Sequence, residues 1–335
     1  MPAEWEPHRA TWLGWPHERT DWPGKVATIP WVMAEIARKL ARRERVAILV
    51  RDAAHARRAR SVLRRAHVDL TAIDLHRIST DRGWLRDSGP IFVRDSQRGG
   101  AVAAVDFGSI GWAKYPNWRR DDRVPKAVAR ARGVPVVAPV VDGRRIVLEG
   151  GAIDVDGRGA LLTTEECLLS DVQQRNPGLG RDGYERVLRD FLGARRVVWL
   201  GRGIAGDDTH GHVDDIARFV APGVVAAAIE RDRGDENFEP LRDNVRRLRR
   251  AGMRVVELPM PEPLFFAGRR MPASYANFYV GNGVVLAPTF DDPSDRIALS
   301  ILARCFPRRQ VVGIHAVDLV WGLGTIHCLT QQEPA

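Results

Sequence analysis

Five times along its 335 residues, the chain opens a hairpin pattern on a polar residue set among glycines or apolar residues. The starts fall near Asp87 (RDSGPIFV), Glu149 (EGGAIDV), His212 (HVDDIARFV), Asn277 (NFYVGNGVV) and Cys328 (HCLTQQ), about 51 to 65 residues apart. Helical periodicity fills most of the gaps: Leu, Ile and Val recur three and four apart over 31–43, 53–66, 184–192, 239–251 and 294–305. Glycine-bearing turns mark strand hairpins over 152–162 and 277–286. A period longer than about 50 residues, carrying hairpin plus helix each time, predicts radial repetition of an α/β unit. Equivalent positions of such a ring converge on its axis, which would gather Asp87, Glu149, His212 and Cys328 in one place. A non-symmetric α/β sheet with chance spacing is the alternative. No Ser/Gly/Pro-rich linker divides the chain, so residues 1–335 read as a single domain.

Composition narrows the setting. With 44% hydrophobic and 28% charged residues, the chain is an ordinary globular one rather than a disordered, collagenous or coiled-coil sequence. No apolar run approaches the roughly 20 residues that span a bilayer. The start, MPAEWEPHRATW, lacks the basic-then-apolar pattern of a secretory signal. Cys167, Cys305 and Cys328, odd in number and widely spaced, argue against a disulfide framework and for a reduced, cytoplasmic protein. The net charge of +9 invites nucleic acid as a partner. Only Lys25, Lys39, Lys114 and Lys126 of the 51 basic residues are lysine, however, and the arginines fall at helical spacings, as in Arg246-Arg-Leu-Arg-Arg250. Solvated helix faces account for them, so neither nucleic acid nor membrane is expected as a partner. A homo-oligomer is compatible with the sequence. Trp5, Trp12, Trp15 and Trp22 read as core or pocket wall rather than as a base-stacking platform.

Several residues can carry chemistry. Cys167 and Cys305 lie in apolar runs and read as small hydrophobes. Cys328 follows a glycine-rich approach and is surrounded by polar residues, so it reads either as a buried hydrophobe or as a nucleophile. His327 is set aside as its base, because neighbours in an extended segment point to opposite faces. His212 and Asp214, two apart, would share a face in a strand, a pairing suited to proton transfer near neutral pH. The competing reading joins His210, His212 and Asp214 as metal ligands; a plain surface loop is the third. Arg86-Asp87 reads as a salt bridge or as a substrate carboxylate, with Trp84 as a flat wall for a planar cation. Glu149, before Gly150-Gly151, either faces a pocket or caps a turn. Paired carboxylates around a soft nucleophile fit a guanidinium, whose N–H donors they bind in a bidentate manner while its carbon stays open to a thiolate.

The stretches Pro2-Ala-Glu-Trp-Glu-Pro-His8, Thr11-Trp-Leu-Gly-Trp-Pro16, Trp84-Leu-Arg-Asp-Ser-Gly-Pro90, Leu148-Glu-Gly-Gly151, Asp208-Thr-His-Gly-His-Val-Asp214, Ser274-Tyr-Ala-Asn-Phe-Tyr279 and Ile326-His-Cys-Leu-Thr-Gln-Gln332 give the chain its resemblance to a known family. It resembles the agmatine deiminases, grouped with bacterial-type peptidylarginine deiminases in the guanidine-modifying (pentein) superfamily. The resemblance implies a five-bladed α/β propeller with pseudo-fivefold repeats around a central active site. It also implies hydrolysis of agmatine, a small cationic guanidine, in putrescine and polyamine biosynthesis, with no metal or organic cofactor. A deiminase of peptidyl arginine or another guanidine is the nearest alternative; a metal-dependent hydrolase using His210, His212 and Asp214 is the more distant one. By the same resemblance Cys328 is the nucleophile and His212 the general acid/base. Asp87 and Asp214 hold the guanidinium, Glu149 orients near His212, and Trp84 and Asp208 complete the substrate-binding set. The sequence departs from the family at Gly322-Leu-Gly-Thr325, where Gly-Gly-Gly-Asn is frequent, and at His210, where Asn is common.

Overall fold

The computed structural model describes residues 1–335, the side chain of Gln97 excepted. Among the described residues the strands form five sheets of three or four strands, with two short hairpins beside them. Four sheets repeat one plan: two antiparallel strands, then a helix, then a third strand parallel to the second. The first joins Ile91–Asp95, Ala101–Val105 and Val136–Val137. The second joins Asp154–Val155, Ala160–Thr164 and Arg196–Leu200. Ala217–Ala221, Val224–Ile229 and Arg254–Pro259 make the third. Tyr279–Gly281, Val284–Thr289 and Gln310–His315 make the fourth. A parallel return needs a crossover, and helices Val124–Arg132, Arg181–Leu192, Phe238–Arg250 and Pro293–Cys305 provide it.

The fifth sheet departs from the expected hairpin at Cys328. The strand after it, Thr330–Pro334, has no sequence neighbour to pair with and lies antiparallel to the N-terminal strand His8–Gly14. Arg45–Val50 and Ile73–Arg77 extend the sheet in parallel, through helices Ile29–Leu40 and Ala53–Arg65. The two ends of the chain therefore complete one sheet, and Ala335 N–H donates to Pro7 O at 2.9 Å.

The five helices expected from periodicity are present within a few residues of their expected ends. The helix Val124–Arg132 was not anticipated, because its pattern (VPKAVARAR) is short and Ala-rich; it buries Val124, Val128 and Ala129. The apolar residues gather in five buried clusters among the described residues, each built from two neighbouring sheets and the helices against them. Trp12, Trp15 and Trp22 lie in these clusters and Trp5 packs against two of them, as expected of core aromatics.

Candidate active site

Each sheet's first strand is preceded by a short turn, and these turns carry the polar residues. Asp87 lies on Leu85–Ser88, Glu149 caps the single turn Gly150–Ala152, and His212 caps Val213–Asp215. Asn277 ends the loop before Tyr279–Gly281, and Cys328 lies on Ile326–Leu329. The hairpins thus open on one-turn helices rather than directly on strands. That corrects the expectation that His212 and Asp214 share a strand face: with Val213 between them on a tight turn, their side chains diverge to different partners.

Cys328 is 5% exposed and its Sγ reaches a cavity of about 260 Å³. Asn277 Nδ2 donates to Sγ at 3.1 Å and to Asp215 Oδ1 at 2.9 Å. Asn277 Oδ1 in turn accepts from Thr325 Oγ1 at 2.7 Å and from the backbone N–H of His327 at 3.0 Å, which fixes the turn carrying the thiol. Asp214 Oδ2 stands 3.7 Å from Sγ. Burial, then the carboxylates of Asp214, Asp215 and Asp87, push the thiol well above its usual pKa, against the single favourable bond from Asn277.

His212 is fully buried between two acids: Nδ1 lies 3.8 Å from Asp87 Oδ1 and Nε2 lies 3.8 Å from Glu149 Oε2. At that distance neither contact is a hydrogen bond, and both ring nitrogens lack a partner. Burial alone would lower the imidazole pKa, but Asp87, Cys167 and Glu149 outweigh it and raise it well above 6.5, so His212 is held as the cation. Asp87 accepts from the Gly151 N–H at 3.0 Å and from Trp112 Nε1 at 3.1 Å. Burial lifts its carboxyl to about 6, with Asp214 and Glu149 adding to the lift and His212 opposing it. Glu149 behaves oppositely: burial would raise it, yet Arg175, whose Nε is 3.2 Å from both its oxygens, and His212 hold it at about 2. The glycines after Glu149 permit this approach, since a Cβ on Gly151 would stand 2.5 Å from His212 Nδ1 and 2.9 Å from Asp87 Oδ1.

Asp214 is fully buried. Its Oδ2 accepts from His327 Nδ1 at 2.6 Å, while Oδ1 has no partner. Burial raises its carboxyl, but His327 and His212 bring it below the usual value. His327 Nε2 meets Glu4 Oε2 at 2.8 Å, and Arg86 Nη2 and Arg218 Nη2 hold Glu4 at 3.1 and 3.0 Å. Asp215, buried beside Asp214 and Asp207, is pushed well above the carboxylate range.

The cavity walls combine aromatic and acidic side chains: Trp84, Trp112, Tyr115, Asp21 and Asp208 line it with Asp87 and Cys328. Trp84 is backed by Trp22 at a ring separation of 5.1 Å. Gly324 lets the chain pass between Trp84 and Cys328, where a Cβ would stand 3.0 and 3.1 Å from them. Asp208 accepts from the Tyr115 hydroxyl, with Lys114 at 3.6 Å, and burial raises its carboxyl.

The metal reading of the His210 segment does not survive the geometry. His210 takes a left-handed φ of 64°, with Gly211 at 92°, and this reversal turns the imidazole to Ser170 Oγ at 3.0 Å on a separate surface groove. Among the described residues the groups whose ligating atoms converge are Glu149, Cys167 and His212, and Asp214, Asp215 and Cys328. Arg175 already occupies Glu149 in the first, and His327 occupies Asp214 in the second. The structure therefore brings Asp87, Glu149, His212, Asp214 and Cys328 together, with Trp84 and Asp208 on the cavity wall. Asn277, Arg175, His327 and Glu4 were not assigned roles from sequence. Only the matching stretches around Glu4, Asn277 and His327 carried a hint of them.

A family model for Porphyromonas-type peptidyl-arginine deiminase matches residues 1–334. The chain is 37% identical over 368 residues to the agmatine deiminase of Pseudomonas aeruginosa, covering 100% of this chain and 95% of that protein. It is 38% identical over 366 residues to the agmatine deiminase of Pseudomonas putida, with the same coverage. The solved agmatine deiminase of Enterococcus faecalis superposes with a TM-score of 0.89 at 31% identity, covering 100% of this chain and 95% of that one. The α/β fold is thus shared with neighbours in the pentein superfamily. Among the described residues no helix is long and apolar enough to cross a membrane.

Proposed function

This chain belongs to the Porphyromonas-type peptidyl-arginine deiminase family, and from that premise we propose that it is an agmatine deiminase, hydrolysing agmatine to N-carbamoylputrescine and ammonia. One observation carries the reading most: Cys328 and Asp87 line a cavity walled by Trp84 and Trp112, with Asp214 3.7 Å from the thiol and His212 3.8 Å from Asp87, the four contributed by the turns of three different sheets. The repeated hairpin–helix–strand plan, closed by pairing of the chain ends, supports a five-bladed α/β propeller. Residues 1–335 act in it as one catalytic domain. Three free cysteines suit a reducing cytoplasm.

In this reading Asp87 and Asp214 grip the guanidinium nitrogens, and Asp208 on the wall takes the amine tail. The neutral thiol of Cys328 releases its proton to solvent once the cationic substrate offsets the surrounding acids, which leaves the thiolate. Sulfur then attacks the guanidinium carbon. His212, held protonated between Asp87 and Glu149, gives its proton to the departing nitrogen, and ammonia leaves. A thiouronium remains on sulfur. Neutral His212 takes a proton from water, hydroxide adds to the same carbon, the C–S bond breaks with the electron pair on sulfur, the hydroxyl proton passes to that thiolate, and the neutral thiol and the urea product result. Trp84 stacks on the planar cation.

The test is ammonia release across agmatine, arginine and an arginine-containing peptide, with and without prior thiol alkylation. Agmatine is expected to be preferred over arginine by roughly tenfold or more in kcat/KM, because the buried Asp208 favours an amine tail over a second carboxylate, with Lys114, Arg82 and Arg269 nearby reducing the difference. Turnover confined to the peptide, or insensitive to alkylation, would overturn the assignment.

A pH profile supplies a second check. Asp87 must be ionised to hold a cation, and its carboxyl sits at about 6. The free enzyme's kcat/KM should therefore fall about tenfold per unit below pH 6. The sign for stability is the reverse: a raised carboxyl binds a proton more readily in the folded state. Asp87 therefore costs stability as pH rises between 3.8 and about 6. Activity that stays flat down to pH 5 would remove Asp87 from the site.

A further inference from the structure

We propose that His327, tethered by Glu4, is the positioning residue for Asp214. It fixes one carboxylate oxygen so that the other is presented to the guanidinium; the inference rests on the proposed role of Asp214 above. The two oxygens of Asp214 are treated unequally by the protein. Oδ2 accepts from His327 Nδ1 at 2.6 Å, whereas Oδ1 is completely buried and unpartnered. A buried carboxylate oxygen without a donor is costly, and a guanidinium N–H supplies what the protein withholds. The other side of the imidazole is equally fixed, with Nε2 2.8 Å from Glu4 Oε2.

Glu4 cannot swing, because four groups hold it. Arg86 Nη2 reaches Oε2 at 3.1 Å, Arg218 Nη2 reaches Oε1 at 3.0 Å, and the Val280 N–H donates to Oε1 at 2.9 Å. His327 is the fourth. A carboxylate only four residues from the chain start thus locks an imidazole next to the thiol. Both ring nitrogens of His327 are engaged by carboxylates, Nδ1 by Asp214 and Nε2 by Glu4. Adjacency in sequence invites the role of base; the geometry assigns alignment instead. Asp215 is held separately, by Asn277, so Asp214 is the acid that this arrangement orients.

Two replacements of the same residue separate alignment from bulk structure. An asparagine amide nitrogen takes nearly the place of imidazole Nδ1, and a glutamine amide nitrogen nearly that of Nε2. His327→Asn keeps the donor to Asp214; His327→Gln keeps only the contact to Glu4. With agmatine as substrate, His327→Gln is expected to raise KM by roughly 30-fold or more with kcat within about fivefold of the parent. His327→Asn is expected to keep KM within about fivefold. Equal KM values in the two variants, or a fall in kcat alone, would overturn the proposal. If either variant fails to fold, Glu4→Gln reads the same tether, with a rise of about fivefold in KM expected and an unchanged KM refuting it. The rate of Cys328 alkylation by iodoacetamide should be unaltered in His327→Gln, and a tenfold loss would make His327 the base of Cys328 instead. A parent that leaves agmatine untouched defeats the functional reading; an active parent whose variants do not split defeats this inference alone.

Discussion

Cys328→Ala is expected to lower ammonia release from agmatine by about 10⁴-fold or more while leaving the melting temperature within about 2 °C of the parent. The asymmetry follows from the thiol's surroundings. Cys328 rests as a neutral group, pushed well above the usual thiol range by burial and by Asp214, Asp215 and Asp87. Removing an uncharged sulfur beside a cavity leaves a small void and forfeits the hydrogen bond from Asn277 Nδ2 and the long one to Asp214 Oδ2. It also removes the atom that must bond to carbon, which no neighbour can replace: Cys167 lies on the other side of the site beside His212 and Glu149. Ammonia release by scintillation or coupled assay, with differential scanning calorimetry on the same sample, reads both halves. Turnover within tenfold of the parent would end the thiol mechanism.

Arg218→Met should produce the largest loss of stability, about 3–5 kcal/mol, with a fall of several degrees in the melting temperature. Arg218 is 1% exposed. Its Nη2 lies 3.0 Å from Glu4 Oε1, its Nε 3.1 Å from Asp154 Oδ1, and its Nη1 donates to Phe278 O at 2.7 Å. Burial works against the guanidinium, yet Glu4 and Asp154 hold it firmly protonated. Methionine fills similar space without charge. Glu4 then keeps Arg86, His327 and the Val280 N–H, but Asp154 keeps only the backbone N–H of Phe219 as a hydrogen-bond donor among the described residues. Burial already raises the Asp154 carboxyl, and Arg218 is its main counterweight. The variant should therefore be least stable at high pH, where Asp154 must ionise unpaired, and should recover as pH falls and the carboxyl takes a proton. Adding Asp154→Leu should restore much of the loss, because removing both charges leaves no buried ion behind. A single-variant loss under 1 kcal/mol would show that this buried pair is not what holds the third sheet to the N-terminal segment.

Much of the site was legible in the chain because local patterns carry local chemistry. A carboxylate before two glycines announces close approach, and Gly151 is found where a side chain would strike His212 and Asp87. A cysteine among polar residues after Gly322-Leu-Gly324 left a buried hydrophobe and a nucleophile both open, and Cys328 lines the cavity with Asp87. Strand reasoning failed in two places, and for one reason. His212–Asp214 and His327–Cys328 lie on single helical turns, so the alternation that put neighbours on opposite faces did not apply. The metal alternative at His210 fails because a left-handed residue followed by a glycine reverses the chain between it and His212.

Unaided, the sequence determined much of the period: four of the five expected hairpin openings and five of the helices are written as apolar spacings and glycine turns, which depend on neighbours a few residues away. It also determined which residue types stand at each opening. Tertiary structure alone decided what each carboxylate does. Asp87, Glu149, Asp214 and Asp215 are the same functional group, yet Asp87 sits at about 6 and Glu149 at about 2. Asp214 is lowered and Asp215 is raised. Charge interactions in a dry interior depend on distances of a few ångströms between groups far apart in the chain, such as Arg175 and Glu149 or His327 and Asp214. Those distances exist only once the sheets have packed and the last strand has closed onto the first.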